Sequence, residues 1–97
     1  MPRRVVVTGV GMVSSLGTGT EKTWQAVLAA RSGISRITAF DTTGFPAKIA
    51  GEVRDFDPTK FIEKKEVRRL GRFIQFAMAA SDFAVNASGL KVTPEIA

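Results

Sequence analysis

The chain contains no cysteine and no histidine. The first absence excludes a disulfide and a thiol nucleophile. The two together exclude Cys–His catalysis and the usual structural zinc sites. Neither bears on redox compartment. Long apolar runs are missing as well. After Met1-Pro2-Arg3-Arg4 only Val5, Val6 and Val7 precede Thr8 and Gly9, whereas a secretory signal needs roughly 7–15 apolar residues there. No stretch approaches the ~18 apolar residues of a membrane span. A cytoplasmic protein is expected, by default. Internal repeats and low-complexity tracts are also absent.

What is present is globular in balance. Of 97 residues, 44% are apolar and 24% charged, which fits one small domain or part of a larger one and not a disordered chain. The net charge of +5 favours acidic partners in general: nucleic acid, anionic lipid or an acidic protein.

Residues 3–13 are β-branched and punctuated by glycine. The continuous run Val5–Val7 predicts a strand buried on both faces, as in a sheet covered by helices. Ser14 to Gly19 reads as a loop. Thr20 is the expected N-cap of a helix with Glu21 and Thr23 in its first turn and Trp24, Val27 and Leu28 at helical spacing, ending near Arg31-Ser32-Gly33. Residues 34–48 read as irregular, and Phe40 to Pro46 is rich in turn formers. Ile49 to Val53 reads as a short strand. Asp57-Pro58 opens a short turn or helix, with Asp57 as its cap and Phe61 and Ile62 burying one side. A longer helix is expected from Lys64 or Lys65 to Ser88, stopped by Gly89. Its apolar arc holds Val67, Leu70, Phe73, Ile74, Ala77, Met78, Ala84 and Val85. Lys65, Arg68, Arg69 and Arg72 share the opposite arc. Gly71 interrupts this pattern at about 1 kcal/mol relative to Ala. Lys91 to Ala97 reads as a linker.

Three constellations invite chemistry. Gly9, Gly11 and Gly17 follow a predicted strand and precede a helix, as in a dinucleotide-binding loop. A GxGxxG motif needs glycine at position 14, which is Ser14, and no acidic residue lies near position 31 to hold a ribose. Gly9 and Gly11 thus read either as a small nucleotide-binding module or, more simply, as glycines required for close backbone packing. Ser14 and Ser15 lack a histidine to activate them and read as loop polarity. Glu52, Asp55 and Asp57 cluster without a third group to position an acid–base pair, and read as solvated loop charges and a helix cap.

The basic segment exceeds this background. Lys60, Lys64, Lys65, Arg68, Arg69 and Arg72 face only Glu63 and Glu66. Such a stripe is either a solvated helix face or a docking surface for an acidic partner, where charge speeds encounter and fixes register. A basic interaction domain for nucleic acid or membrane is a further reading, though no DNA-binding motif accompanies the stripe.

The opening RRVVVTGVGMVSSLG, the RSGI segment, FDTTGFPAKIAGEV, DFDP, FIEKKEVRR and FIQFAMAAS resemble the condensing enzymes of bacterial fatty-acid synthesis. The likeness is to β-ketoacyl-acyl-carrier-protein synthases of the chain-elongating type II, over essentially the whole chain. It implies an α/β chain, the incomplete N-terminal portion (residues 1–97) of a thiolase-like fold that is layered α/β/α/β/α in the full enzyme. It implies a homodimer roughly four times this length, without cofactor or metal. In that family a cysteine takes the acyl chain from a carrier-protein thioester, malonyl-carrier protein decarboxylates, and its carbanion attacks the acyl-enzyme. Two histidines and backbone N–H groups stabilise the developing charges. The cysteine and histidines have no counterpart here, so the resemblance assigns no catalytic residue and implies that the chain alone is inactive. It does imply a carrier-protein dock at Lys65, Arg68 and Arg69, with Lys64 as a fourth position. The partner would be acyl carrier protein, with no nucleic acid and no membrane. Relatives usually carry Met-Asp where this chain has Leu70-Gly71, which makes the stripe more positive and puts the geometry beyond it in question.

Overall fold

A computed structural model describes residues 2–95; Met1, Ile96 and Ala97 lie outside the described residues. The chain divides into two compact units. One comprises residues 13–57, the other the N-terminal segment up to Met12 together with residues from Pro58 onward.

The unit of residues 13–57 holds two hairpins and a helix. Strand β1 (Val13–Ser14) pairs antiparallel with β2 (Gly17–Thr18), Val13 opposite Thr18. The segment expected to be a plain loop is therefore a tight hairpin. The Ser14 hydroxyl sets its turn by accepting the Leu16 N–H (3.2 Å). Helix α1 runs Thr20–Leu28. Its N-cap is Gly19 and not Thr20. Gly19 has φ 112°, in the region that disfavours any side chain, so the chain enters the helix one residue early. Thr23 fastens the helix to the hairpin. Its buried hydroxyl lies 3.0 Å from the Gly19 carbonyl oxygen, 3.3 Å from that of Gly17 and 2.8 Å from Ser14 Oγ. Thr23 and Ala26 form the buried face, and Trp24, Val27 and Leu28, predicted as the packing face, stay half exposed. The small hydroxyl lets helix and hairpin approach closely, which places the large side chains outward.

The end of α1 carries a local strain. The Ala30 N–H donates to the Val27 carbonyl and the Arg31 N–H to the Ala26 carbonyl, both at 3.0 Å. This is the paired closure of a Schellman motif, which wants glycine in the left-handed position. Here that position is Ala30, at φ 56°. The Ala30→Gly variant is expected to gain about 1 kcal/mol, read as a rise in thermal midpoint.

Strand β3 (Ile34–Arg36) pairs antiparallel with β4 (Ile49–Gly51), Ser35 opposite Ala50. The strand expected at Ile49–Val53 is thus present but shorter. Its partner arises in a segment that reads as irregular, because the three residues Ile34-Ser35-Arg36 are too few to show alternation. Between them, Asp41 accepts the Thr43 N–H (3.0 Å) and hydroxyl (2.7 Å). Phe40 and Phe45 meet edge to face at 5.6 Å.

In the second unit a 3-10 turn at Pro58–Lys60 leads to a short helix, α2 (Lys64–Val67), and a long one, α3 (Arg72–Ser88). The single helix expected from Lys64 to Ser88 is therefore broken. The break falls at Gly71, which adopts extended backbone (φ −65°, ψ 158°) and caps α3. Its carbonyl accepts the N–H groups of Ile74 and Gln75, both at 3.1 Å. Gly89 ends α3 in the left-handed conformation, φ 73°, as expected.

Residues 2–12 form no regular element, so Val5–Val7 is not the buried strand predicted. No strand among the described residues pairs with it, and Val5 remains 91% exposed. A strand forms only where its N–H and C=O groups find a partner. The segment instead lies along α3. A side chain added at Gly9 would meet the Ala84 carbonyl oxygen at 2.5 Å and the Ser88 nitrogen at 2.6 Å; one added at Gly11 would meet the Ala84 nitrogen at 2.7 Å and overlap the Ala80 carbonyl. Position 9 faces the later turn of the helix and position 11 the earlier one, so the segment runs antiparallel to α3 over its small residues Ala80, Ala84 and Ser88. The fully buried Ala79 and the buried Gln75 occupy another side. The apolar arc expected to be core is half open. Phe61, Phe73, Ile74, Ala77, Met78 and Val85 line a groove of about 540 Å³, and Phe73 is 76% exposed.

Candidate functional site

The basic segment begins where the 3-10 turn ends. Ile62 is buried and anchors the approach to α2, and Phe61 packs edge to face on Phe83 at 5.3 Å. Helix α2 presents Lys64 and Lys65. Arg68 caps it, Arg69 lies in the following turn, and Arg72 opens α3. All five are exposed. The uninterrupted helical spacing that the sequence suggests for Lys65, Arg68, Arg69 and Arg72 is not realised, because the backbone leaves the helix before Gly71. The charges nevertheless share one short stretch of surface chain.

Four of the chain's five excess positive charges lie in residues 60–72, where six cations face two carboxylates. Lys65 approaches Glu63 at 3.6 Å with both side chains largely exposed, a pair worth little in water. Arg72 is drawn back over the Phe76 ring, 5.0 Å from its centroid. Lys60, Lys64, Lys65, Arg68 and Arg69 are exposed as well.

The turn between the helices depends on a residue the sequence reading passed over. The Gln75 side-chain amide donates to the carbonyls of Val67 (3.1 Å) and Leu70 (3.0 Å). A polar residue four positions after a helix-breaking glycine, on an otherwise apolar helix, was the available signal.

The other candidates have structural roles. Gly9 and Gly11 are occupied in packing against α3, the simpler of their two readings. Ser14 hydrogen-bonds within its hairpin and to Thr23 of α1. The carboxylates Glu52 and Asp55 are not merely solvated. Glu52 accepts the Thr38 N–H (2.9 Å), the Thr38 hydroxyl (3.1 Å), the Ala39 N–H (3.0 Å) and Arg54 (3.1 Å). Asp55 accepts the Thr18 N–H (3.2 Å), the Thr18 hydroxyl (3.0 Å) and Lys22 (3.3 Å). The Thr38 backbone N–H above all holds Glu52 below the ordinary carboxylate value. Partial burial works to raise Asp55, but the two Thr18 bonds and Lys22 outweigh it and lower the group.

A carboxyl depressed in the folded state stabilises the fold above its unfolded value and loses that contribution as pH falls. Thermal melts should therefore be insensitive to these groups at neutral pH and fall as pH drops through the ordinary values of 4.5 and 3.8. Glu52→Gln should flatten the upper part of that decline. An unchanged acid limb would contradict the assignment.

A model of the family described as "Beta-ketoacyl synthase, N-terminal domain" matches residues 2–95. The chain belongs to the β-ketoacyl synthase family. It is 49% identical over 90 residues to the 3-oxoacyl-[acyl-carrier-protein] synthase 2 of Coxiella burnetii, covering 93% of this chain and 22% of that protein. The protein of the same name from Vibrio harveyi is 47% identical over 93 residues, covering 96% of this chain and 22% of the relative. Among solved structures, the ishigamide ketosynthase/chain length factor superposes with a TM-score of 0.84 at 45% identity, over 94% of this chain and 23% of that one. The chain thus spans about a fifth of the length of the relatives it matches, and its fold is the N-terminal part of the thiolase-like ketosynthase fold. This β-ketoacyl synthase segment has no helix long and apolar enough to cross a membrane among its described residues.

Proposed function

We propose that the chain is the N-terminal portion of a chain-elongating β-ketoacyl-acyl-carrier-protein synthase, and that Lys64, Lys65, Arg68 and Arg69 receive the acidic carrier protein. The full enzyme condenses malonyl-carrier protein with an enzyme-bound acyl group, as a cytoplasmic homodimer. The observation that carries the docking claim is the concentration of positive charge in residues 60–72, six cations against two carboxylates, with Arg68 and Arg69 exposed. Cations on an exposed turn attract an acidic partner over a Debye length of about 8 Å at physiological salt and set its register on contact.

Acyl transfer and condensation need a thiolate nucleophile and groups to hold a developing oxyanion. These 97 residues contain no cysteine and no histidine, so the chemistry falls to the remainder of the enzyme. The same remainder would supply strands beside Val5–Val7 and cover the open groove on α3. The full-length enzyme is therefore expected to release carbon dioxide from malonyl-carrier protein and form a β-ketoacyl product, while the purified 97-residue chain does neither. Condensation by the isolated chain, verified by mass, would overturn this reading.

A further inference from the structure

We infer that Gln75 is a positioning residue that holds the Arg68–Arg69 turn in the geometry that meets the carrier protein. The inference rests on the docking reading for its functional consequence and on hydrogen-bond geometry for its mechanism.

The break at Gly71 removes backbone partners. In a continuous helix the Leu70 carbonyl would accept the Ile74 N–H, but that N–H bonds the Gly71 carbonyl instead. Within the turn, the Leu70 N–H reaches the Val67 carbonyl only at 3.4 Å, a long contact for such a bond. The two carbonyls flanking Arg68 and Arg69 would thus be held weakly or not at all by the backbone. Gln75 stands one turn into α3, 7% exposed, and its terminal amide nitrogen reaches both, at 3.1 and 3.0 Å. A primary amide carries two N–H donors, one for each carbonyl. Among side chains of this size, Leu, Met and Glu carry none at neutral pH. One buried side chain therefore ties the end of α2 and the end of the turn to α3, and α3 is fixed in turn by the Gly9–Gly11 segment. Arg68 and Arg69 lie between the two tied points, so their backbone is pinned on both sides while their guanidinium groups remain in solvent. A partner that meets pinned charges avoids the cost of ordering the turn.

The test uses the full-length enzyme and holo-acyl carrier protein. Gln75→Met keeps the volume and removes both donors. Its affinity for the carrier protein should fall on the order of 10-fold. The slope of log Kd against log salt should stay as in the parent, because every charge remains. KM for the carrier-borne substrate should rise with kcat unchanged, and hydrogen exchange at the Arg69 and Leu70 amides should quicken. A merely structural role would lower the melting temperature and leave the affinity of the folded enzyme alone. If Gln75→Met does not fold, Gln75→Leu, which likewise carries no donor and adds no charge, should show the same pattern. Unaltered affinity in either variant, beside charge-reversal variants that do weaken binding, would overturn the positioning role and leave the dock standing. Charge reversals without effect would overturn the dock instead. Exchange at Arg69 and Leu70 then decides whether Gln75 holds the turn.

Discussion

Gly11→Ala is expected to cost about 3 kcal/mol of stability, and Gly9→Ala nearly as much. The added methyl at position 11 would overlap the Ala80 carbonyl oxygen and stand 2.7 Å from the Ala84 nitrogen. Both are backbone atoms of α3, not ends of flexible side chains, so relief requires the segment and the helix to separate. Trimming the helix does not help: an Ala80→Gly background should leave the Gly11→Ala penalty intact. A loss of this size is a large fraction of the 5–15 kcal/mol that typically holds a domain together. It should appear as a fall in thermal midpoint and in soluble yield of the full-length enzyme. Gly44→Ala is the control. Nothing lies within 4 Å of that position, and only its φ of 86° opposes a side chain, so its cost should be near 1 kcal/mol. If Gly11→Ala melts like Gly44→Ala, the close packing of the N-terminal segment on α3 is wrong. Nucleotide binding at this loop makes a different forecast, a lost ligand at unchanged stability.

These glycines show what a sequence discloses and what it withholds. Spacing excluded the common dinucleotide motif at Ser14, and close packing was the simpler reading of what was left. The surface they pack against was not legible, because Ala80, Ala84 and Ser88 are small residues that declare a face only once something lies on it. The first helix was legible from Trp24, Val27 and Leu28, yet its buried side turned out to be Thr23 and Ala26. Periodicity marks an element's existence, whereas the partner decides which side is covered. Val5–Val7 makes the same point more sharply: its β-branched run is clear, but strand formation depends on a neighbour that the described residues do not contain.

The long helix misled for a different reason. Gly71 was visible as a weak point, and its ~1 kcal/mol cost did not by itself require a break. What tips the balance is that the alternative is well furnished: Gly71 accepts two N–H groups as the cap of α3, and Gln75 takes over the carbonyls that the break releases. A propensity scale counts the cost of glycine in the helix but not the bonds available outside it. The charges of the basic segment were legible individually, since composition and position suffice for Lys64, Lys65, Arg68 and Arg69. Their arrangement as one helical stripe was not, since it assumed a continuous axis.

Reversing Lys65, Arg68 and Arg69 to Glu together should weaken carrier-protein binding by the full-length enzyme on the order of 100-fold at low salt. Each exposed pair contributes about 0.2–1 kcal/mol, and reversal replaces attraction with repulsion, so three sites together amount to roughly 2–4 kcal/mol. Residues 60–72 would pass from an excess of four positive charges to an excess of two negative ones. The loss should fall mainly on the association rate, since steering acts before contact. Raising the salt should narrow the gap between variant and parent, because screening weakens the attraction in one and the repulsion in the other. Reversal of Arg72 alone should matter less, as its guanidinium is held over Phe76. A triple variant that binds the carrier protein with the parent's affinity and salt slope would remove the dock from this segment, and turnover of a carrier-free thioester substrate, unchanged in either case, separates lost docking from lost folding.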